Sequence, residues 1–257
     1  MLKAEAARPG GPRGAGMKAP IDEEIEAFLM DRLAVHFPDD AVVSEESGGR
    51  PGTSGRAFVI DPHDGTRDFL QGRRETSISI ALATQGRLEL GLVYAPFASE
   101  RTGPKGMLVS WATGEPVRHN GQALAPRPSA QASSGFEPGD VVLASTRLKG
   151  ERLEDNRRRL SPAQVVPCAS IATRFALVAL GKAQAGFTFN NPLSDWDFAG
   201  GQALLEAMGA ALVGPDGQRV SWSGTGSKPA KLNGYFAARD EALAKQLAAR
   251  FADLTGG

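Results

Sequence analysis

Apolar residues along this chain fall into short blocks whose period switches between helix-like and strand-like. From Asp22 the spacing is helical. Ile25, Phe28, Leu29, Leu33 and Phe37 share one stripe, Glu23, Glu24, Asp31 and Arg32 fall opposite, and Pro38 ends the pattern. Ala41-Val42-Val43 and Phe58-Val59-Ile60 are unbroken apolar runs bounded by polar residues and glycine, as buried strands are. Thr76 to Thr84 alternates, with Ile78, Ile80 and Leu82 on one face. Gln85-Gly86 then turns it into a second strand, Leu88 to Tyr94, which predicts a hairpin. One more strand is predicted around Met107 to Trp111, inside a stretch from Pro96 to Gly139 that is otherwise irregular. Further on, Val141 to Ala144 predicts a strand and Arg147 to Arg159 a solvated helix face. Ala169 to Gly181 predicts a buried helix, and Phe198 to Met208 an apolar one closed by Gly209. Gly200 and Gly201 lower helix propensity in the first turn of the last segment, so close backbone packing is expected there.

Strands and helices therefore occur in both halves, and 257 residues suffice for a substantial core. Lys plus Arg equals Asp plus Glu at 29 each, so net charge gives no reason to expect a nucleic acid polymer or an anionic membrane as partner. A single cysteine, Cys168, excludes an intramolecular disulfide framework and fits a reducing cytoplasm. No apolar run reaches the length of a membrane span. Residues 1–17, rich in Gly, Pro and basic groups, lack the apolar core of a secretion signal and are expected to be a flexible lead-in.

The chemistry concentrates in Asp61-Pro62-His63-Asp64-Gly65-Thr66. Asp61 falls at the carboxyl end of a predicted strand. Pro62 is expected to stop the ladder, and Asp64 returns beside Asp61. Two carboxylates so close repel unless a cation or a proton lies between them. A hard divalent ion such as Mg2+ suits an all-oxygen set. Gly65 and Thr66 offer backbone N–H groups for an anion. Metal beside phosphate means phosphoryl chemistry; an Asx-rich surface turn is the plain alternative. The aspartate-nucleophile phosphatase signature does not fit, because Pro62 occupies the position its nucleophile needs. Glu45 and Glu46 end the preceding strand and could meet Asp61 at the same sheet edge. Asp22 and Asp197 stand at helix starts, where capping is the ordinary role. His36, His63 and His119 lie on unrelated elements, and packing or surface roles suit them better than ligation. Arg174 fits equally a surface charge or a phosphate partner.

Together these pieces resemble the inositol monophosphatase superfamily of Mg2+-dependent, lithium-sensitive phosphatases. Its Gly-Glu-Glu-Ser pattern appears as Ser44-Glu45-Glu46-Ser47. Its Asp-Pro-x-Asp-Gly-Thr is Asp61 to Thr66, and its Trp-Asp-x-Ala-Gly is Trp196 to Gly200. Order and spacing match over about Asp22 to Phe236. The resemblance implies a layered αβαβα sandwich, with residues 18–135 forming an α+β half and 136–257 an α/β half that supplies the substrate wall. It implies that Glu45, Asp61, Asp64 and the His63 carbonyl hold catalytic metal, that Asp61, Asp64 and Asp197 hold a second ion, and that Asp22 sits near a third. Thr66, assisted by Glu45, would orient the attacking water, while Gly65 and Thr66 N–H groups bind phosphate. Mn2+ would substitute for Mg2+, and Li+ would inhibit.

Departures from the family pattern bear on the substrate. Ala19 replaces a threonine near Asp22, and the lead-in is a poor helix former, which bears on the third ion. Asn190 and Asn191 stand where inositol-hydrolysing members carry an acid. Arg73 to Thr76 and Ser145 to Arg147 look more like the 3'(2'),5'-bisphosphate nucleotidase branch. The expected substrate is thus a small phosphate monoester, either an inositol phosphate or a compound like 3'-phosphoadenosine 5'-phosphate. Its wall would be built from Ser145, Ser170, Arg174 and Asn190. A homodimer is the candidate assembly. The alternative function is a catalytically weakened family member acting as a ligand-binding or regulatory protein.

Overall fold

The computed structural model describes residues 1–98, 106–125, 135–189, 193–220 and 234–255. Asn190 and Asn191 lie outside the described residues. The first sheet runs in sequence order through β1 (Ala41–Ser44), β2 (Arg56–Asp64), β3 (Ser77–Thr84), β4 (Arg87–Ala95), β5 (Met107–Ala112), β6 (Arg118–His119) and β7 (Gln122–Ala123). Only the β1–β2 pair is parallel. The second sheet has β8 (Val141–Ala144), β9 (Gln164–Pro167), β10 (Ala185–Phe189), β11 (Ala211–Val213) and β12 (Gly234–Ala238) in the order β11-β12-β10-β8-β9. Among the described residues the helices are α1 (Leu2–Ala6), α2 (Pro20–His36), α3 (Thr66–Leu70), α4 (Glu151–Leu160), α5 (Ile171–Ala179), α6 (Asp195–Ala207), α7 (Glu241–Arg250) and α8 (Ala252–Thr255). Helices α5 and α6 lie between the sheets, α2 covers the outer face of the first, and α4 and α7 cover the outer face of the second. This is the layered αβαβα sandwich that the family resemblance implies.

The central helices come very close to the first sheet because the strand residues facing them are small. On β3, Ser77, Ser79, Ala81 and Ala83 are buried against that layer, while Ile78, Ile80 and Leu82 point the other way and are only half-buried. A Cβ on Gly200 would lie 2.5 Å from Ser79 Oγ and 2.9 Å from the Ile80 carbonyl oxygen. On Gly201 it would lie 2.8 Å from the Phe175 Cβ. The two glycines thus let α6 seat between β3 and α5, as the sequence predicts. Helix α6 itself starts earlier than predicted, at Asp195 with Ser194 as N-cap.

Three further expectations are corrected. Pro62 does not end the strand: β2 runs on to Asp64 through a bulge in which Asp61 pairs Ser79 and Asp64 pairs Ser77. Three steps on one strand against two on its neighbour absorb the residue that lacks an N–H. On α2, Ile25 is buried and Leu29 and Leu33 are half-buried, but Phe28 is 50% and Phe37 38% exposed. Apolar residues therefore occupy more than the core stripe of this helix. Residues 1–17 fold back instead of trailing as a flexible lead-in. Leu2 packs with Ala19, Ile21, Ile25 and Phe69. The buried Glu5 carboxylate accepts bonds from the Arg13 backbone N–H at 2.7 Å and from its guanidinium at 2.8–3.1 Å. That guanidinium lowers the Glu5 pKa to about 2. One apolar anchor and one tied acid outweigh the poor local propensity of a Gly- and Pro-rich segment.

Candidate active site between the two halves

A cavity of about 800 Å3 opens between the halves, and Glu45, Asp61, Asp64 and Asp197 all line it. Three elements place them. Asp61 and Asp64 project from the β2 bulge, and the Asp61 Oδ1 accepts the His63 backbone N–H at 2.9 Å. Glu45 follows β1 on a turn held by Glu26 of α2, which accepts the Ser44 hydroxyl at 2.5 Å and the N–H groups of Glu46 at 3.0 Å and Ser47 at 2.9 Å. Asp64 Oδ2 receives the Ser170 hydroxyl and the Ala172 N–H, both at 2.7 Å, so the start of α5 holds it from the other half. Asp197 is the third residue of α6, with one oxygen accepting the Ser194 N–H at 2.6 Å. It is a capping-box acid, not the N-cap itself.

Burial dominates the electrostatics. It pushes Glu45 up to about 7, helped by Glu46, Asp64 and Asp22 and opposed by a hydrogen bond with Asp61. It pushes Asp197 up to about 8, with Asp64, Glu45 and Asp195 acting in the same direction. Asp61 is raised well above the usual carboxylate range by burial and by the charges of Asp64, Glu45 and Asp197. Burial raises Asp64 too, opposed by bonds from Ala172 and Ser170 and by the charge of Arg174. Among the described residues no three His, Cys, Asp or Glu side chains form a closed cage. Instead Glu45 and Asp61 meet through a hydrogen bond, the proton being one of the two ways to relieve their repulsion. The other way is a cation. Four mutually repelling carboxylates with only oxygen donors around one cavity fit a hard divalent ion.

The remaining predicted residues fare differently. Gly65, in a left-handed conformation at φ 102°, caps the short helix α3, and it lines the cavity with Thr66 and Ser145. The Thr66 hydroxyl meets Asp22 Oδ2 at 3.0 Å and the His63 carbonyl at 2.9 Å. Asp22, 1% exposed, also bonds His63 Nδ1. Ser170 does not line the cavity. It is fully buried, bonding Asp64, the Ser77 hydroxyl at 2.8 Å and the Thr173 N–H at 2.9 Å. Arg174 lines the cavity, yet its guanidinium donates to the carbonyls of Phe187 at 2.6 Å and Ala169 at 3.0 Å. Its pKa is lowered by burial. Arg174 therefore clamps α5 to β10. The exposed arginines at the cavity are Arg67, Arg147, Arg152 and Arg158; Arg158 pairs with Asp155, and the other three form no ion pair among the described residues. Glu26 and the His63 side chain escaped the sequence argument. Glu26 had a signal: it lies four residues after Asp22, on the same helix face.

Fold and cavity define a two-sheet α/β sandwich with an acidic cleft between its halves. The sequence model of the inositol monophosphatase family matches residues 14–255, and the chain belongs to that family. Nus factor SuhB of Salmonella typhimurium is 28% identical over 200 residues, 75% of this chain and 69% of the relative. The inositol-1-monophosphatase of Bacillus subtilis is 28% identical over 210 residues, 77% of this chain and 72% of the relative. Among solved structures, an IMPase of Thermotoga maritima superposes with a TM-score of 0.72 at 20% identity, covering 93% of this chain and 85% of its own. Membership supports phosphatase activity and, in a family generally dependent on metal, a divalent cation. Among the described residues no helix is long and apolar enough to cross a membrane.

Proposed function

We propose that this protein is a Mg2+-dependent hydrolase of small phosphate monoesters that uses water as the nucleophile. The observation that carries the proposal is the set of four carboxylates, Glu45, Asp61, Asp64 and Asp197, that line one cavity with burial-raised pKa values. With the His63 carbonyl they would hold the cations. When bound, such ions supply Lewis-acid charge and lower the pKa of water. Gly65 and Thr66 bring backbone N–H groups to the cavity, where they suit phosphate oxygens. The Thr66 hydroxyl, donating to Asp22, keeps a lone pair for the hydrogen of an attacking water. No protein nucleophile is required.

For the organic part of the substrate, Arg147 and Arg152 favour a second phosphate or another anion, through charge-assisted bonds. Solved neighbours in this fold include a dual specific IMPase/NADP phosphatase bound with D-inositol-1-phosphate and a Staphylococcal IMPase-II bound with 2'AMP. The test is Mg2+-dependent phosphate release from inositol 1-phosphate and from 3'-phosphoadenosine 5'-phosphate, with Asp64→Asn as control. The variant keeps an acceptor for Ser170 and Ala172 and should fold, while turnover falls by at least about three orders of magnitude. Undiminished turnover in Asp64→Asn, with unchanged Mg2+ dependence, would sink the proposal.

A further inference from the structure

His63 sits inside the central motif, yet the function proposed above uses only its backbone carbonyl. Its side chain is 1% exposed, with the ring edge-on to Phe69 at a centroid distance of 4.7 Å. Nδ1 bonds Asp22 Oδ1, the other oxygen of that carboxylate accepts the Thr66 hydroxyl at 3.0 Å, and Nδ1 also lies at a longer 3.4 Å from Thr66 Oγ1. Nε2 is buried and has no hydrogen-bond partner among the described residues. An imidazole with one unpaired buried nitrogen is a poor way to fill space beside a phenyl ring, because burial of a polar atom is unfavourable unless it is bonded. What the ring supplies, and an aliphatic side chain cannot, is a single N–H on Asp22.

We infer that His63 is a positioning residue for ester hydrolysis: its Nδ1–H fixes the Asp22 carboxylate so that Asp22 Oδ2 takes the Thr66 hydroxyl hydrogen. The inference rests on the hydrolytic function proposed for this cavity. Thr66 has one hydroxyl hydrogen and two acceptors in reach, Asp22 Oδ2 and the His63 carbonyl at 2.9 Å. If the hydrogen turned to the carbonyl, it would engage the oxygen that should face a cation. A fixed Asp22 keeps that carbonyl free and leaves the Thr66 lone pair toward the cavity. One residue therefore serves the motif twice, with its backbone carbonyl and with a ring that holds an acid on helix α2.

The test compares His63→Leu and His63→Asn, alone and in an Asp22→Asn background. Asn carries an N–H near the place of Nδ1; Leu has none. His63→Leu should lower kcat roughly 10–100-fold, as losses of such supporting partners do, with KM within about twofold. His63→Asn should recover most of that loss, and His63→Leu should add nothing once Asp22 is Asn. In the metal-free native protein, long-range 1H–15N spectra should show His63 protonated at Nδ1, and Asp22→Asn should change that signal. Native kcat in His63→Leu, equal losses in Leu and Asn, additivity with Asp22→Asn, or an Nε2–H tautomer would each overturn the inference and leave the hydrolytic function standing. A native protein that turns over no phosphate ester would overturn that function, and with it this role for His63.

Discussion

Replacing Ser170 by Ala removes three hydrogen bonds made by one oxygen: one to Asp64, one from the Ser77 hydroxyl and one from the Thr173 N–H that it caps. A bond to an ionised group contributes about 1.5–3 kcal/mol. Losing an N-cap costs about 0.5–2 kcal/mol. The terms share one atom and do not add fully, so the net destabilisation should be about 2–4 kcal/mol. In a chain of this size that lowers Tm by on the order of 10 °C. Scanning calorimetry on the native and variant proteins measures it. The KM should stay within about twofold, because Ser170 is fully buried and absent from the cavity wall. The kcat should fall, because Asp64 keeps only the Ala172 N–H. A stability change below about 1 kcal/mol together with a tenfold rise in KM would refute this reasoning and return Ser170 to the substrate wall.

Other outcomes follow from the same geometry. Gly200→Ala should destabilise the fold by about 1–2 kcal/mol despite better helix propensity, since the Ile80 carbonyl cannot move away from the new Cβ; thermal melts check it. Glu5→Gln should lower Tm at pH 7. Glu5 is depressed to about 2 when folded, so its contribution is full above about 4.5 and vanishes as pH falls through about 2. The Tm gap between native and Glu5→Gln should therefore close over that interval, and a gap independent of pH would contradict it. Replacing Arg147 and Arg152 together by Ala should reduce kcat/KM about tenfold or more for a bisphosphorylated nucleotide, and far less for inositol 1-phosphate; steady-state kinetics with both substrates decides.

Local pattern made much of this protein legible. The β3–β4 hairpin, β8 and α5 lie close to where periodicity puts them. The acids Glu45, Asp61, Asp64 and Asp197, each in a stretch the sequence singles out, line one cavity. What the sequence hid depends on partners far along the chain. Nothing near His63 announces that its ring meets Asp22, 41 residues earlier. Ser170 and Arg174 looked like substrate contacts because both sit on the helix facing the cleft. The Ser170 hydroxyl, however, is taken by Asp64, and the two terminal nitrogens of Arg174 by the carbonyls of Phe187 and Ala169. The Pro62 bulge was misjudged for a different reason: proline forbids one ladder bond, and a local change of register absorbs that without ending the strand. Strands β10 to β12 carry Gly and Ala among their apolar residues and gave little alternation to detect.

The anchoring of Asp64 from α5 also bears on the order in which this chain folds. Its bonds to Ser170 and Ala172 bridge 106 and 108 residues, and Asp197 comes later still. Contacts of such separation close slowly, because the entropy of the intervening loop must be lost before they form. The first sheet can pair largely through neighbouring strands while its acids still lack their supports. Competence at the cleft is therefore a late folding event that requires both halves of the chain. On a ribosome, a nascent chain that has not yet released α6 would hold a paired hairpin and an acidic strand end, but no working centre.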